Sequence, residues 1–171
     1  MRHTLSILVE NRFGELARIV SLFSARGYNI ESLTVAETLE PAISCVTLVT
    51  SGDDRTIEQI VKQVDKLVRV LQVTDLTGNP HLEREMALIK VRPSTAASFQ
   101  AVLSLVSQDA MRVAEVTDDA LIIEATGEWQ HINELVRQLT PLGICDIVRT
   151  GPVALAKGSQ GASGTFISPA V

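Results

Sequence analysis

The order in which two kinds of hydrophobic periodicity alternate constrains this chain more than any other feature. Apolar residues recur at helical spacing in four places: Leu16, Ile19, Val20, Phe23; Ile57, Ile60, Val61, Val64; Phe99, Val102, Leu103, Val106; and Ile132, Leu135, Val136, Leu139. Each set is the single apolar stripe of an amphipathic helix. Between them run segments rich in Val, Ile, Thr and Leu that read as strands, at 3–9, 29–37, 42–50, 68–76, 84–92, 111–117, 119–126 and 143–150. In "HTLSILV", Leu5, Ile7 and Val9 point one way and Thr4 and Ser6 the other, as a sheet covered by helices on one face requires. The predicted order is strand, helix, strand, strand, helix, strand, and then the same again. A βαββαβ unit folds as a four-stranded antiparallel sheet with two helices on one face. The expected fold is therefore α+β, with two tandem ferredoxin-like domains.

Punctuation supports the helix positions. Gly27 after Arg26 closes the first helix, Asp53 or Asp54 caps the second, Ser94 behind Pro93 caps the third, and Pro141 stops the fourth. Gly78, Asn79 and Pro80 break both periodicities. The expected division is a first domain over 1–77, a linker over 78–83 and a second domain over 84–157. The small, polar tail 158–171 is expected to be disordered.

Composition narrows the function. A 171-residue chain that is 46% hydrophobic can bury a sizeable core. It contains no apolar run of the roughly 20 residues that a membrane span needs, and its N-terminus lacks the pattern of a secretory leader. The expectation is a soluble cytoplasmic protein with no membrane partner. Its 15 Lys and Arg against 20 Asp and Glu give a net charge of -5, which argues against nucleic acid as a partner. Cys45 and Cys145 lie far apart in apolar surroundings and are expected to be buried thiols. His3, His81 and His131 have no metal-ligand spacing, so no metal site is expected.

Catalytic patterns are missing. No serine stands in G-x-S-x-G, and neither GxGxxG nor a Walker loop occurs. The acidic pairs Asp53 with Asp54 and Asp118 with Asp119 fall at turns, where such side chains bond the local backbone. Acylphosphatases share the ferredoxin-like fold and use an arginine in the loop after the first strand, where this chain has Arg12. The glycine-rich run that would wrap a phosphate is missing, and Glu15 would oppose a dianion.

Binding remains, and it points to residues 11–15. The first turn of a helix has unpaired N–H groups and a positive dipole end, which suit a carboxylate, especially where a glycine permits close approach. Gly14 fits that description. Asn11 and Asn29 each carry a donor and an acceptor, the equipment for recognising an α-amino acid. Ordinary turn chemistry would account for the same three residues.

The stretches "ILVENRFGELARIVSLFSARGYNIESLTVAET", "IEQIVKQVDKLVRVLQVTDL", "EREMALIKV" and "TGPVALAKG" closely resemble the small regulatory subunits of acetolactate synthase, also called acetohydroxyacid synthase, over residues 1 to about 157. The most specific part is "RGYNIESL", residues 26–33. The resemblance implies an N-terminal ACT domain that pairs with its twin and binds valine or another branched-chain amino acid at the interface. Carried over by position, Asn11, Gly14, Glu15 and Leu16 would form the loop and helix start, with Asn29 and Ile30 facing them from the second strand. It further implies a non-catalytic subunit that activates a larger catalytic subunit and confers feedback inhibition by valine. Thiamine diphosphate, magnesium and FAD would belong to that partner, and none would bind here. The enzyme forms 2-acetolactate from two pyruvates. The other expectation kept open is a free-standing tandem ACT sensor acting on a different enzyme or on gene expression. Phe13 stands where many relatives have Pro or Ser. Glu15 stands where many have a small or aliphatic residue, close to where an effector carboxylate would lie.

Overall fold

The computed structural model of the chain describes residues 1–108 and 111–158. Apart from Gly158, the tail expected to be disordered lies outside the described residues. Two compact units are distinguished among the described residues: Met1–Leu82 with residues 153–158, and Glu83–Pro152.

In the first unit the elements run β1 (Arg2–Glu10), α1 (Glu15–Arg26), β2 (Ile30–Glu37), β3 (Ile43–Ser51), α2 (Asp54–Val64) and β4 (Val70–Asp75). The strands order as β2-β3-β1-β4 and all pairs are antiparallel. Ile7 stands opposite Val46 on one side and Val73 on the other. This register puts Leu5, Ile7, Val9, Val46 and Leu48 against Ile19 and Phe23 of α1 and Ile57, Ile60 and Val64 of α2. The alternation expected of β1 is present, but Thr4 and Ser6 on its second face are buried too, with Ser6 Oγ 3.8 Å from Cys45 Sγ.

The second unit repeats the order with β5 (His81–Val91), α3 (Ala96–Gln108), β6 (Met111–Val116), β7 (Leu121–Gly127), α4 (Trp129–Leu139) and β8 (Ile144–Arg149). Its strands order as β6-β7-β5-β8. Ala87, Ile89, Val91, Leu121, Ile123 and Ala125 form the sheet side of its core, and Val102, Ile132, Leu135 and Leu139 form the helix side.

Several boundaries differ from those expected, each for a local reason. β5 begins at His81 rather than 84, because the alternation reaches back through the charged residues "HLERE". The cap of α3 is Thr95, not Ser94: Thr95 Oγ1 accepts from the Ser98 amide and Ser98 Oγ from the Thr95 amide, a reciprocal box. A ninth strand, β9 (Val153–Ala156), closes the element order and is too short to show a period. The thiols are not both buried: Cys45 is half-buried and Cys145 is exposed, because β8 is an edge strand with most of its side chains turned outward. Asp53 does cap α2, accepting from the Thr56 amide at 2.7 Å. Among the described residues no helix is long and apolar enough to cross a membrane.

Candidate functional site

The loop between β1 and α1 is pinned at several points. Asn11 N donates to Ala42 O (2.7 Å), Glu10 N to Arg69 O (3.0 Å) and Arg12 N to Glu10 O (2.8 Å). Gly14 then takes φ 88° and ψ −10°, a left-handed conformation, and α1 starts at Glu15 with no side-chain cap. Only glycine adopts this backbone without strain. A Cβ built there would meet nothing within 4 Å, so the surface over the helix start is open. The Arg18 amide donates to Gly14 O (3.1 Å). The amides of Leu16 and Ala17, ahead of it in the first turn, receive no capping side chain and lie at the positive end of a twelve-residue dipole. Of the other helices, α2 and α3 have side-chain caps, while α4, behind Glu128, also starts without one. What sets the start of α1 apart from that of α4 is the left-handed Gly14 and the open surface over it.

Asn11 is fixed in place. Its Nδ2 donates to Glu37 Oε1 and to Pro41 O, both at 3.0 Å. Both partners are pure acceptors, so the amide orientation is forced and both of its hydrogens are used. Asn11 therefore offers a ligand only the Oδ1 acceptor, which suits an ammonium rather than a carboxylate. Glu37 was missed in the sequence because it is 26 positions away. Only the sheet register, with Glu10 and Glu37 opposite Ile43 and Ser44 of β3, places it beside Asn11. An open cavity of about 550 Å³ borders Asn11, lined also by Glu10, Arg12, Glu40, Ala42, Ile43 and Leu71.

Glu15 turns inward. It is 4% exposed, and it heads the stripe that continues through the buried Ile19 and Phe23. Its Oε1 lies 3.3 Å from Arg18 and 3.4 Å from Arg69, yet among the described residues it accepts no hydrogen bond. Arg69 was the second residue missed, since nothing in its local sequence marks it. Leu16, next in the chain, is 39% exposed, and Phe13 is fully exposed.

The remaining two residues are elsewhere. Asn29 is exposed, and its backbone carbonyl accepts from Thr50 Oγ1 (2.6 Å). Its side chain makes no hydrogen bond among the described residues. Ile30 opens β2, opposite Thr50, and packs against the core. Asn11, Gly14, Glu15 and Leu16 thus gather at the N-terminal end of α1, while Asn29 and Ile30 sit past its C-terminal end. A helix of twelve residues is roughly 18 Å long. One chain does not bring the two groups together.

Two family models match the chain. The AHAS small subunit-like ACT domain covers residues 5–72, and the model described as small subunit of acetolactate synthase covers residues 84–158. A curated acetolactate synthase small subunit from Aquifex aeolicus (strain VF5) is 43% identical over 156 residues, covering 91% of this chain and 81% of that protein.

The chain belongs to the acetolactate synthase small subunit family.

A second member, from Mycobacterium leprae (strain TN), is 43% identical over 159 residues, covering 93% of this chain and 94% of that protein. The crystal structure of the acetolactate synthase small subunit from Thermotoga maritima has a TM-score of 0.82 at 38% identity. The match covers 92% of this chain and 98% of that one. Family membership makes this a regulatory, non-catalytic subunit with an ACT domain, in branched-chain amino-acid biosynthesis, and implies a large catalytic partner.

Proposed function

We propose that this chain activates the catalytic subunit of acetolactate synthase and reduces that activity when valine, or another branched-chain amino acid, binds between two ACT domains. In this reading thiamine diphosphate, magnesium and FAD belong to the catalytic partner. The observation that carries the reading is the uncapped helix start behind Gly14, with its complement, Asn29, at the far end of the same helix.

A two-fold axis crossing the middle of α1 and β2 turns the partner's copy end for end. It would bring Asn29 and Ile30 of one chain opposite Asn11 and Gly14 of the other, and each dimer would hold two equivalent sites. Features of the molecule favour association on that side. β2 is an eight-residue edge strand, which leaves a row of backbone groups unpaired. Leu16 and Val35 are about 40% exposed, and Phe13 is fully exposed. The effector's carboxylate would take the Leu16 and Ala17 amides, its ammonium the Asn11 Oδ1, and Asn29 would supply a donor and an acceptor across the interface.

A site split between subunits couples binding to regulation, because a rotation about the interface alters both halves of the pocket at once. Inhibition requires the effector to prefer the less-activating arrangement, and such preferences are about 1 to 3 kcal/mol, or roughly 5- to 150-fold.

Titration calorimetry with L-valine on the full chain tests the site. Gly14→Asp is expected to abolish binding by like-charge repulsion at the helix start, with a thermal melt run alongside to exclude unfolding. Asn29→Ala is expected to weaken binding with little change in the melt. Asn11→Ala is less clean, since Asn11 also ties the loop to Glu37 and Pro41. If Gly14→Asp binds L-valine as the unaltered chain does, the site is wrong. Co-purification with a thiamine-dependent catalytic subunit distinguishes this reading from a free-standing sensor.

A further inference from the structure

Among the described residues two buried side-chain atoms lack a hydrogen-bond partner, His3 Nε2 and Glu15 Oε1. The second lies in the first turn of α1, beside the open amides. A carboxylate that is 4% exposed and takes the slot ahead of Ile19 and Phe23 is costly to hold there without hydrogen bonds. Its compensation is electrostatic and comes from two arginines. Arg18 is 59% exposed, one turn along the helix. Arg69 is 36% exposed, in the turn that precedes β4. Arg69 is also held at the base of the loop, where its carbonyl accepts from Glu10 N (3.0 Å) and its guanidinium lies 4.0 Å from Glu10 Oε2. It is a cation fixed near the helix start and only partly engaged.

We propose that Glu15 sets the affinity of the effector site by acting as an internal competitor for the carboxylate of the bound amino acid, with Arg69 the cation for which they compete. The proposal rests on the effector reading given above. A ligand carboxylate on the Leu16 and Ala17 amides would sit within about one helical turn of the Glu15 carboxylate, roughly 5 to 8 Å. At that range two negative charges repel appreciably in a partly desolvated site, and each draws on the same guanidinium. Glu15 is thus a positioning and affinity-setting residue that need not touch the ligand.

The sign of two substitutions separates this role from a merely structural one. Glu15→Gln keeps the shape, removes the charge and releases Arg18 and Arg69. It is expected to tighten L-valine binding about 3- to 30-fold. Arg69→Gln leaves Glu15 less compensated and is expected to weaken binding by a similar factor. Calorimetric titration of L-valine into the full chain and both variants reads these shifts, with thermal melts confirming that each is folded. Opposite shifts of this kind support the proposal. Equal weakening in both variants would mean that Glu15 only shapes the loop, and unchanged affinity in a folded Glu15→Gln would mean that its charge does not reach the ligand. Either result overturns the proposal and leaves the effector site standing. Failure of the unaltered chain to bind any branched-chain amino acid removes the effector reading and this proposal with it.

Discussion

Among the described residues each unit buries one glutamate, and the two are held in different ways. Glu85, at the β5 edge of the second unit, is 3% exposed and pairs tightly with Arg149, whose other guanidinium nitrogen donates to Asn133 Oδ1 at 2.7 Å. The network closes β5, β8 and α4 together, and the carboxylate has a true hydrogen bond. Glu15 has the same burial but only long ion pairs to two half-exposed arginines. A complete buried network is what a fold keeps for its own stability. An incomplete one beside uncapped amides is the arrangement on which the proposed effector site draws.

Breaking the two networks should therefore have unequal effects. Arg149→Met strands Glu85 in the interior, and loss of a partner in a buried pair costs about 3 to 5 kcal/mol. Hydrogen exchange of β5 and β7 amides should show that loss, while Arg69→Met should cost the first unit no more than about 1 kcal/mol, because Arg18 remains and both arginines are substantially solvated. Equal losses would remove the distinction between the two units.

Two glycines sharpen the same contrast. Gly143, at φ 105°, closes the turn before β8, where a Cβ would stand 2.5 Å from the Arg92 carbonyl oxygen. Gly143→Ala meets both backbone strain and a clash and is expected to destabilise the second unit by about 2 to 4 kcal/mol. Gly14→Ala meets strain in open space, so about 1 to 2 kcal/mol is expected. Chemical denaturation of both variants measures the gap.

The smallest effect concerns a helix start of the ordinary kind. Hydrogen bonds from Thr56, through its side chain and its amide, hold the Asp53 carboxyl below its usual value of 3.8. A group with a lowered native pKa stabilises the fold above its unfolded value and loses that contribution as pH falls through the native one. Asp53→Ala should lower the melting temperature at neutral pH, and its difference from the unaltered chain should shrink as the pH drops below about 4. Gly14 carries no such group, so Gly14→Ala should show no such convergence.

The fold was legible because burial imposed its period on the chain: Ile57, Ile60 and Val64, or Ile132, Leu135 and Leu139, face inward wherever a helix covers a sheet. β9 was not legible, since four residues carry no period, and Cys145 misled because apolar neighbours do not reveal an edge strand. At the site, Gly14 and the absent cap could be read locally. The commitment of both Asn11 hydrogens could not, because Glu37 and Pro41 reach it through the β2–β3 register. The pairing of Glu15 with Arg69 was equally hidden, being a contact between helix start and distant turn that no spacing records.

The composite, two-fold site is the claim on which the function rests, and complementation tests it most directly. Gly14→Asp and Asn29→Ala each spoil one half of every site, so each variant alone should have lost or weakened L-valine binding. When the two are unfolded, mixed and refolded together, a heterodimer carries both defects in one site and neither in the other. Random pairing should then restore full-affinity binding at about one quarter of the sites. Recovery near that level is the expected result. No recovery, with mixed dimers shown to form, would contradict a site shared between two chains.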